Sequence, residues 1–328
     1  MKFVKHIKYK KNTTTCTSGS RISDFLFSYS ARKKNLLSEM TYKKLNNIDH
    51  LDLEILIAYV IKKPREFVLA HPERQLTQKQ ELIIKNYVKR RQNKEPIAYI
   101  IGHKEFYGLD FEVNKHTLIP RPETEMIVDE TLGLLRSMLR NKTAVIDVGT
   151  GSGNIIISIA NQTKDLRITN YELQFFATDI SKSALNIAKK NAKEHHVDKK
   201  IKFLWGNLLK PFPEPKKLTE LNVNNLIIVA NLPYLSEKIY KESPKDVQNF
   251  EPKSALYSDN KGLAHYEKLF QQIKLLIASY QSSVTIFLEI SPEQKNKIQT
   301  LVKKYFPKAK IKFKKDLASK WRVCVISF

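Results

Sequence analysis

"VIDVGTGSGNI", residues 145–155, joins an apolar strand, an acid and three alternating glycines to the start of another apolar segment. Gly149, Gly151 and Gly153 let the backbone turn tightly and approach a ligand without Cβ clashes. Asp147 stands at the strand end, where its carboxylate would attract a cationic group. A βα turn without a ligand is the alternative, but such a turn does not require three glycines beside an acid. We predict a cofactor-binding loop composed of Asp147, Gly149, Thr150, Gly151, Ser152 and Gly153.

Short apolar strands alternate with helical segments along the rest of the chain. The strands are "QFFATDI", "IKFLWGN", "NLIIVANLP" and "SVTIFLEI", and helical segments follow most of them. Such alternation predicts an α/β fold with a doubly wound, Rossmann-like and mostly parallel sheet. The closing strands "AKIKFKKD" and "RVCVISF" are joined by a segment too short for a helical crossover, so we predict that the last strand is antiparallel.

The region before the glycine loop reads differently. Residues 36–103 are predicted to form a small helical domain, and residues 104–120 a β-hairpin linker that turns at Gly108–Leu109. The second domain is then residues 121–328, opening with a helix at Pro122. In the helical domain we expect Asp49 and Thr77 to be N-caps. The predicted apolar stripes are Leu51, Ile55 and Tyr59 in one helix, and Leu82, Ile83 and Tyr87 in another.

The net charge and the cysteine content indicate which partners the protein can bind and in which compartment it is found. The formal net charge is +24, from 57 basic and 33 acidic side chains. This much positive charge favours anionic partners. Because the charge is spread along the chain, a basic surface exposed to solvent is the alternative. We therefore predict at most a weak contact with RNA or the ribosome. Cys16 and Cys324 cannot build a disulfide framework or a thiolate metal site, which indicates a reducing compartment. We expect no bound metal and no membrane span.

Residues 1–35 are basic and are predicted to be a disordered leader. A mitochondrial transit peptide is the alternative, although such peptides usually favour Arg over the Lys found here. No apolar segment of a signal peptide follows the basic start. We therefore expect a cytoplasmic protein, or one of an organellar matrix if the leader is a transit peptide.

The end of the second strand identifies the class of cofactor. Asp179 can accept hydrogen bonds from both hydroxyls of a ribose. The G-T-G-S-G spacing differs from the G-x-G-x-x-G of dinucleotide sites, and Asp179 comes later than that fingerprint expects. S-adenosylmethionine fits better, because its sulfonium and ammonium would be attracted to Asp147. This acid-plus-glycine pattern resembles motif I of the class I S-adenosylmethionine-dependent methyltransferases.

The third strand ends at Asn207 and Leu208, and the resemblance implies that both border the adenine. An Asp commonly accepts from the adenine amino group at this position. Asn207 departs from that pattern, but its side-chain carbonyl can still accept. Trp205 either packs near the adenine or belongs to the core.

"NLPY", residues 231–234, follows the fourth strand, next to the first strand, where doubly wound sheets bind ligands. Asn and Pro are common in turns, so a plain turn is one interpretation. The tetrapeptide also resembles the [N/D]-P-P-Y of amino-methyltransferases. We then expect Asn231 and the Leu232 carbonyl to accept both N–H groups of a planar target nitrogen, and Asn231 also to border the cofactor. Pro233 would keep the loop rigid, and Tyr234 would contact the planar group.

The stretches "EPIAYIIGHKEFYGLDFEVN" and "TLIPRPETEMIVD" closely resemble the release factor glutamine methyltransferases. The similarity continues through "VQNFEPKSALYSDNKGLAHYEKLF" and "FLEISPEQ" to the closing residues. It implies methylation of the side-chain amide (N5) of the glutamine in the Gly-Gly-Gln motif of class I peptide-chain release factors. Leu232, Asn207 and the pair Lys320–Trp321 depart from the family pattern, and none of them removes a group that the mechanism needs.

Other functions stay open from the residues alone. A sister family methylates a glutamine of a ribosomal protein, but tends to read P-R-S-P where this chain has "PRPETE". N-L-P-Y is also typical of rRNA adenine dimethyltransferases, so adenine-N6 methylation of RNA or DNA is an alternative. A third is a binding protein that keeps a relic cofactor fold, which the intact glycines argue against.

Overall fold

The computed structural model describes residues 48–71, 74–138, 142–166, 173–212, 223–277 and 283–328. The predicted leader, residues 1–35, and residues 36–47 of the predicted helical domain lie outside these ranges. The chain divides into two compact units between Gln92 and Asn93. The domain boundaries expected from the sequence stay a prediction.

The N-terminal unit is helical in its described part. Its helices are α1 (His50–Ile61), α2 (Arg65–Ala70) and α3 (Gln78–Gln92). Asp49 caps α1, because its Oδ1 accepts from the backbone N–H of Leu51 at 2.8 Å. Thr77 and Gln80 cap α3 reciprocally: Gln80 N–H donates to Thr77 Oγ1 at 3.3 Å, and Thr77 N–H donates to Gln80 Oε1 at 3.0 Å. Both predicted N-caps are therefore confirmed.

The predicted apolar stripes of α1 and α3 are wrong in part: Ile55, Ile83 and Tyr87 are partly buried, but the other three residues are exposed. Leu51, Tyr59 and Leu82 are exposed by 46%, 42% and 70%. The buried side chains are Leu53, Leu56, Ile57, Ala58 and Ile61 in α1, and Ile84 and Val88 in α3. Apolar residues occur on most sides of α1, so several different sets of residues at helical spacing could form its apolar face.

A short helix and a hairpin begin the second unit. They are α4 (Ile97–Ile101), β1 (His103–Phe106) and β2 (Leu109–Glu112). The hairpin turns at Tyr107 and Gly108, whose φ angles are 54° and 72°. The predicted turn at Gly108–Leu109 is wrong by one residue, because Leu109 pairs with Phe106 in the ladder. Two left-handed residues match the right-handed twist of the flanking strands.

A seven-stranded sheet forms the centre of the second unit, in the order β5-β4-β3-β6-β7-β9-β8. The strands are β3 (Thr143–Val148), β4 (Leu173–Asp179), β5 (Ile201–Trp205), β6 (Asn225–Ala230), β7 (Ser283–Glu289), β8 (Lys310–Lys315) and β9 (Trp321–Ser327). The neighbours β5-β4, β4-β3, β3-β6 and β6-β7 are parallel pairs. The last strand, β9, is antiparallel to both β7 and β8. The predicted Rossmann-like fold with an antiparallel last strand is confirmed.

Helices precede the first strand of this sheet and lie in the connections between its strands. They are α5 (Glu125–Ser137), α6 (Asn154–Gln162), α7 (Lys182–Glu194), α8 (Glu237–Glu242), α9 (Lys245–Phe250), α10 (Ala264–Ile277) and α11 (Lys295–Tyr305). A 3₁₀ turn, Pro122–Thr124, precedes α5, so the helix predicted to open at Pro122 begins as a 3₁₀ turn. Among the described helices, none combines the length and apolar character that crossing a bilayer requires.

The apolar core lies on both faces of the sheet. All six residues of β3 and of β6 are buried, as expected for central parallel strands. Alternate residues of β3 pack on opposite sides: Ala144, Ile146 and Val148 belong to one buried cluster, and Val145 belongs to the other. Because β3 pairs with β4 on one side and β6 on the other, the carboxyl ends of these strands meet at one edge.

Candidate functional site

The glycine loop follows β3 with three left-handed residues. Gly149, Gly151 and Gly153 have φ angles of 75°, 57° and 83°. A Cβ on Gly153 would lie 2.6 Å from Ile157 Cδ1 and 3.2 Å from Ala188 Cβ, whereas a Cβ on Gly151 would have no heavy atom within 4 Å. Gly153 therefore allows the close packing of α6 on α7, and Gly151 leaves space at the loop surface.

Asp147 is completely buried under this loop. Its Oδ2 accepts a hydrogen bond from the Thr150 hydroxyl at 2.6 Å. Within the described residues, its Oδ1 has no hydrogen-bond partner of normal geometry. Burial raises the pKa of Asp147 to about 7, and the Thr150 hydroxyl and the backbone N–H of Ile156 oppose that rise. The side chain thus shapes the loop and brings a buried carboxyl close to it.

Asp179, the last residue of β4, joins the glycine loop to the start of α7. Its Oδ2 accepts from Gly151 N–H at 2.9 Å, and its Oδ1 accepts from Ser181 N–H at 2.8 Å. Burial raises the pKa of Asp179, and these N–H donors favour the charged form. The carboxylate is therefore held at the strand tip in a fixed orientation.

A cavity of about 420 Å³ opens at this edge of the sheet. Residues predicted from the sequence form much of its wall: Gly149, Thr150, Gly151, Ser152, Asp179, Asn207, Leu208, Asn231, Leu232 and Pro233. The predicted residues Asp147, Gly153 and Tyr234 are not part of this lining. Arg121, Thr124, His265 and Lys268, which the sequence had not singled out, are also in the wall.

The loop after β5 supplies Asn207 and Leu208. Leu208 is buried and takes a left-handed conformation with a φ of 55°. The interpretation of Trp205 as a core residue is wrong, since 59% of it is exposed. Its ring is held at the surface because Nε1 donates to the Ile180 carbonyl at 2.9 Å, with Lys182 Nζ 4.1 Å from the ring centre.

Asn231 and Leu232 lie where two cavities adjoin. Both residues line the large cavity and a smaller one of about 160 Å³, which Tyr234 also lines. Asn231 Nδ2 donates to Thr124 Oγ1 at 3.1 Å. In the described part of the chain, neither Asn231 Oδ1 nor the Leu232 carbonyl accepts a hydrogen bond. These two oxygen atoms at the end of β6 are therefore without a donor in that part of the chain.

A buried carboxylate, Glu289 at the end of β7, supports this corner. Its Oε2 accepts from the Thr124 hydroxyl at 2.6 Å, and its Oε1 accepts from the Tyr234 hydroxyl at 3.1 Å. Burial raises the pKa of Tyr234 well above its usual value, and the neighbouring Glu289 raises it as well. Sequence reasoning assigned no role to Thr124 or Glu289; their only signal was their place in "PRPETE" and "FLEISPEQ".

Comparison with known protein families identifies both parts of the chain. Residues 43–102 match the PrmC N-terminal domain, and residues 139–304 match a methyltransferase domain.

Curated relatives extend over most of the chain. The release factor glutamine methyltransferase of Buchnera aphidicola subsp. Acyrthosiphon pisum (strain APS) is 36% identical over 80% of this chain and 87% of the relative. The enzyme of the same name from Enterococcus faecalis (strain ATCC 700802 / V583) is 32% identical over 78% of this chain and 84% of the relative. That from Bacillus subtilis (strain 168) is 33% identical over 83% of this chain and 90% of the relative. The chain belongs to the release factor glutamine methyltransferase family.

Proposed function

We propose that this protein transfers a methyl group from S-adenosylmethionine to the side-chain amide nitrogen, N5, of a glutamine. The proposed substrate is the glutamine of the Gly-Gly-Gln motif in a class I peptide-chain release factor. Membership of the family supports this substrate, and relatives with that name match most of the chain. The observation that carries the proposal is the pair of available acceptors, Asn231 Oδ1 and the Leu232 carbonyl, at the boundary of two cavities.

The large cavity suits S-adenosylmethionine. The open space above Gly151 leaves the loop backbone accessible, and Asp179 in the wall can accept from ribose hydroxyls. Asp147, whose buried Oδ1 has no hydrogen-bond partner of normal geometry among the described residues, adds negative charge when ionised and would attract a ligand that carries a sulfonium and an ammonium. Asn207 offers an amide oxygen to an adenine amino group. When bound here, S-adenosylmethionine supplies the activated methyl group.

The residues at the end of β6 orient the target amide. An amide nitrogen is a weak nucleophile because its lone pair is delocalised into the carbonyl. If Asn231 Oδ1 and the Leu232 carbonyl accept its two N–H groups, they align the nitrogen and stabilise the positive charge that develops on it. The methylated nitrogen then loses one proton readily, so no side chain with a matched pKa is required as a base.

The smaller cavity is the proposed entrance for the glutamine side chain. Leu235 and Val247 give it apolar walls, while Arg121 and Asn231 bring polar groups to it. A glutamine has an aliphatic stem and a polar end, which matches this mixed lining. Pro233 lies between the acceptors and Tyr234 and limits the freedom of the loop, so the acceptors are oriented before the substrate arrives.

Methyl transfer from radiolabelled S-adenosylmethionine to a purified class I release factor tests the proposal. We expect label on one glutamine, identified by mass spectrometry, and none on a release factor whose Gly-Gly-Gln glutamine is changed to alanine. A large-subunit ribosomal protein and total RNA are the competing substrates. Label on either of these, with the release factor unlabelled, would contradict the proposal.

Substitution of Asn231 tests the assigned acceptor. Asn231→Ala should lower kcat at least about 100-fold, the usual loss for a transition-state hydrogen-bond partner. The dissociation constant of S-adenosylmethionine, measured by calorimetry, should change little. Asn224→Ala is the matched control: this exposed residue lies just before β6, at its opposite end, and should leave kcat unchanged. An Asn231→Ala enzyme with normal kcat would exclude the role.

A further inference from the structure

Three residues that are far apart in the sequence form one hydrogen-bond chain beside the proposed target amide. Asn231 Nδ2 donates to Thr124 Oγ1 at 3.1 Å, and the Thr124 hydroxyl donates to Glu289 Oε2 at 2.6 Å. Thr124 and Glu289 are each only 1% exposed. Solvent therefore does not compete for these hydrogen bonds, and the positions of their hydrogens decide how Asn231 is oriented.

The number of hydrogens in the chain allows one orientation of the Asn231 amide. A threonine hydroxyl has one hydrogen, and a carboxylate can only accept, so that hydrogen belongs to Glu289. The Thr124 oxygen then has only lone pairs to offer, and Asn231 must present its NH₂ group to it. The opposite orientation would place two acceptor oxygens against each other.

Glu289 is held as an acceptor from more than one side. Its second oxygen, Oε1, accepts from the Tyr234 hydroxyl at 3.1 Å. Burial raises the pKa of Glu289, while the two hydroxyl donors and the nearby Arg322 favour its charged form. The same carboxylate thus anchors Tyr234 directly and Asn231 through Thr124.

We infer that Thr124 and Glu289 are positioning residues, which orient the Asn231 amide so that Oδ1, and not Nδ2, faces the target nitrogen. The inference rests on the proposed function. A reversed Asn231 would direct an NH₂ group at the N–H groups of the substrate amide, which would repel them. The hydroxyl of Thr124 therefore acts on the rate of methyl transfer through Asn231, without contact with the substrate.

Thr124→Val tests the inference, because valine keeps the shape of threonine and lacks the hydroxyl. We expect kcat to fall about tenfold or more, with the S-adenosylmethionine dissociation constant unchanged. Thr124→Ser restores the hydroxyl and should restore most of kcat. Thr131→Val is the matched control, since Thr131 is completely buried in α5 and its hydroxyl donates to the Ile127 carbonyl at 2.7 Å. It should keep normal kcat.

A double-mutant cycle separates orientation from a general structural effect. If Thr124 acts through Asn231, Thr124→Val should cause no further loss of kcat in an Asn231→Ala enzyme. An equal loss in both backgrounds, or a Thr124→Val enzyme as active as wild type, would overturn the inference. Thr124→Ala removes the same hydroxyl and replaces the valine variant if thermal melting shows that the latter is unfolded. A wild-type enzyme that labels no release factor would instead contradict the proposed function.

Discussion

Arg121 and Glu251 form an ion pair across 130 residues of sequence, with the Arg121 Nη2 group donating to Glu251 Oε1. The Glu251 side chain is 1% exposed and that of Arg121 is 34% exposed. The other oxygen of Glu251 accepts from the backbone N–H of Ile119 at 3.1 Å. Together these bonds attach the segment before α5 to the chain that follows α9, and Arg121 lines both cavities.

Substituting Arg121 and substituting Glu251 should lower the unfolding free energy by different amounts. Arg121→Met leaves a buried carboxylate without its counter-charge, which costs about 3–5 kcal/mol of unfolding free energy in comparable cases. Glu251→Gln removes the buried charge and keeps an oxygen for Ile119 N–H, so the loss should be about 1–2 kcal/mol. Urea unfolding of both variants measures the difference. Equal losses, or a larger loss for Glu251→Gln, would contradict this account of the pair.

Gly151 and Gly153 should respond differently to alanine, although both are left-handed. Each substitution places a Cβ in the left-handed region, at about 1–2 kcal/mol. Gly153→Ala also drives its Cβ against Ile157 and Ala188, so we expect about 1–3 kcal/mol of additional destabilisation. Gly151→Ala has open space, but its Cβ enters the wall of the large cavity. It should therefore melt below the wild-type temperature but above that of Gly153→Ala, and bind S-adenosylmethionine about tenfold more weakly.

Calorimetric titration and thermal melting of the two alanine variants separate these effects. Gly153→Ala is expected to be the less stable variant. A Gly151→Ala protein with unchanged affinity for S-adenosylmethionine would show that the loop surface is not part of the cofactor site.

The strand ends were predictable from the sequence because their signals are local. Asp179 and Asn231 each close a short apolar run, and the glycine spacing after Asp147 is readable without knowledge of contacts. Parallel strands then bring these ends to one edge of the sheet. The hairpin turn was misplaced by one residue because Tyr107, an aromatic side chain, occupies a left-handed position that usually belongs to Gly or Asn.

Hydrogen bonds between distant side chains could not be predicted in this way. Thr124 and Glu289 are separated by 165 residues and meet only because α5 begins beside the end of β7. Their residue types are common at helix starts and strand ends, so no spacing in the sequence distinguishes them. The sequence therefore predicted the Asn231 acceptor but not the residues that orient it.

Gly133 should be a site where alanine stabilises the protein. It lies in α5, is exposed, and a Cβ there would have no heavy atom within 4 Å. Gly133→Ala should raise the unfolding free energy by about 0.5–1 kcal/mol, because alanine loses less conformational entropy in a helix. Gly108→Ala is the control: a Cβ there also meets no atom, but φ is +72°, so the protein should become less stable. Stabilisation of both variants would contradict the dependence on φ.

Asp147 should make stability depend on pH in a direction opposite to that of most carboxyls. Burial raises its pKa from 3.8 to about 7, so the folded protein retains a proton that the unfolded chain has already released. The stabilising contribution is fully present below about pH 4 and is lost as the pH rises through about 7. At pH 8 the ionised carboxyl therefore destabilises the fold, by up to about 4 kcal/mol.

Asp147→Asn removes this ionisation and keeps an oxygen for the Thr150 hydroxyl. Urea unfolding should show the variant to be a few kcal/mol more stable than wild type at pH 8, with the difference vanishing near pH 4. Asp198→Asn, at an exposed position, controls for the loss of one negative charge and should change stability little at either pH.

If the buried charge attracts the cationic groups of S-adenosylmethionine, Asp147→Asn should also bind it more weakly at pH 8. If Asp147→Asn is more stable than wild type but binds the cofactor more weakly, the buried carboxyl serves ligand binding at the expense of stability. If Asp147→Asn is less stable than wild type at pH 8, another group neutralises the charge of Asp147 and this account is wrong.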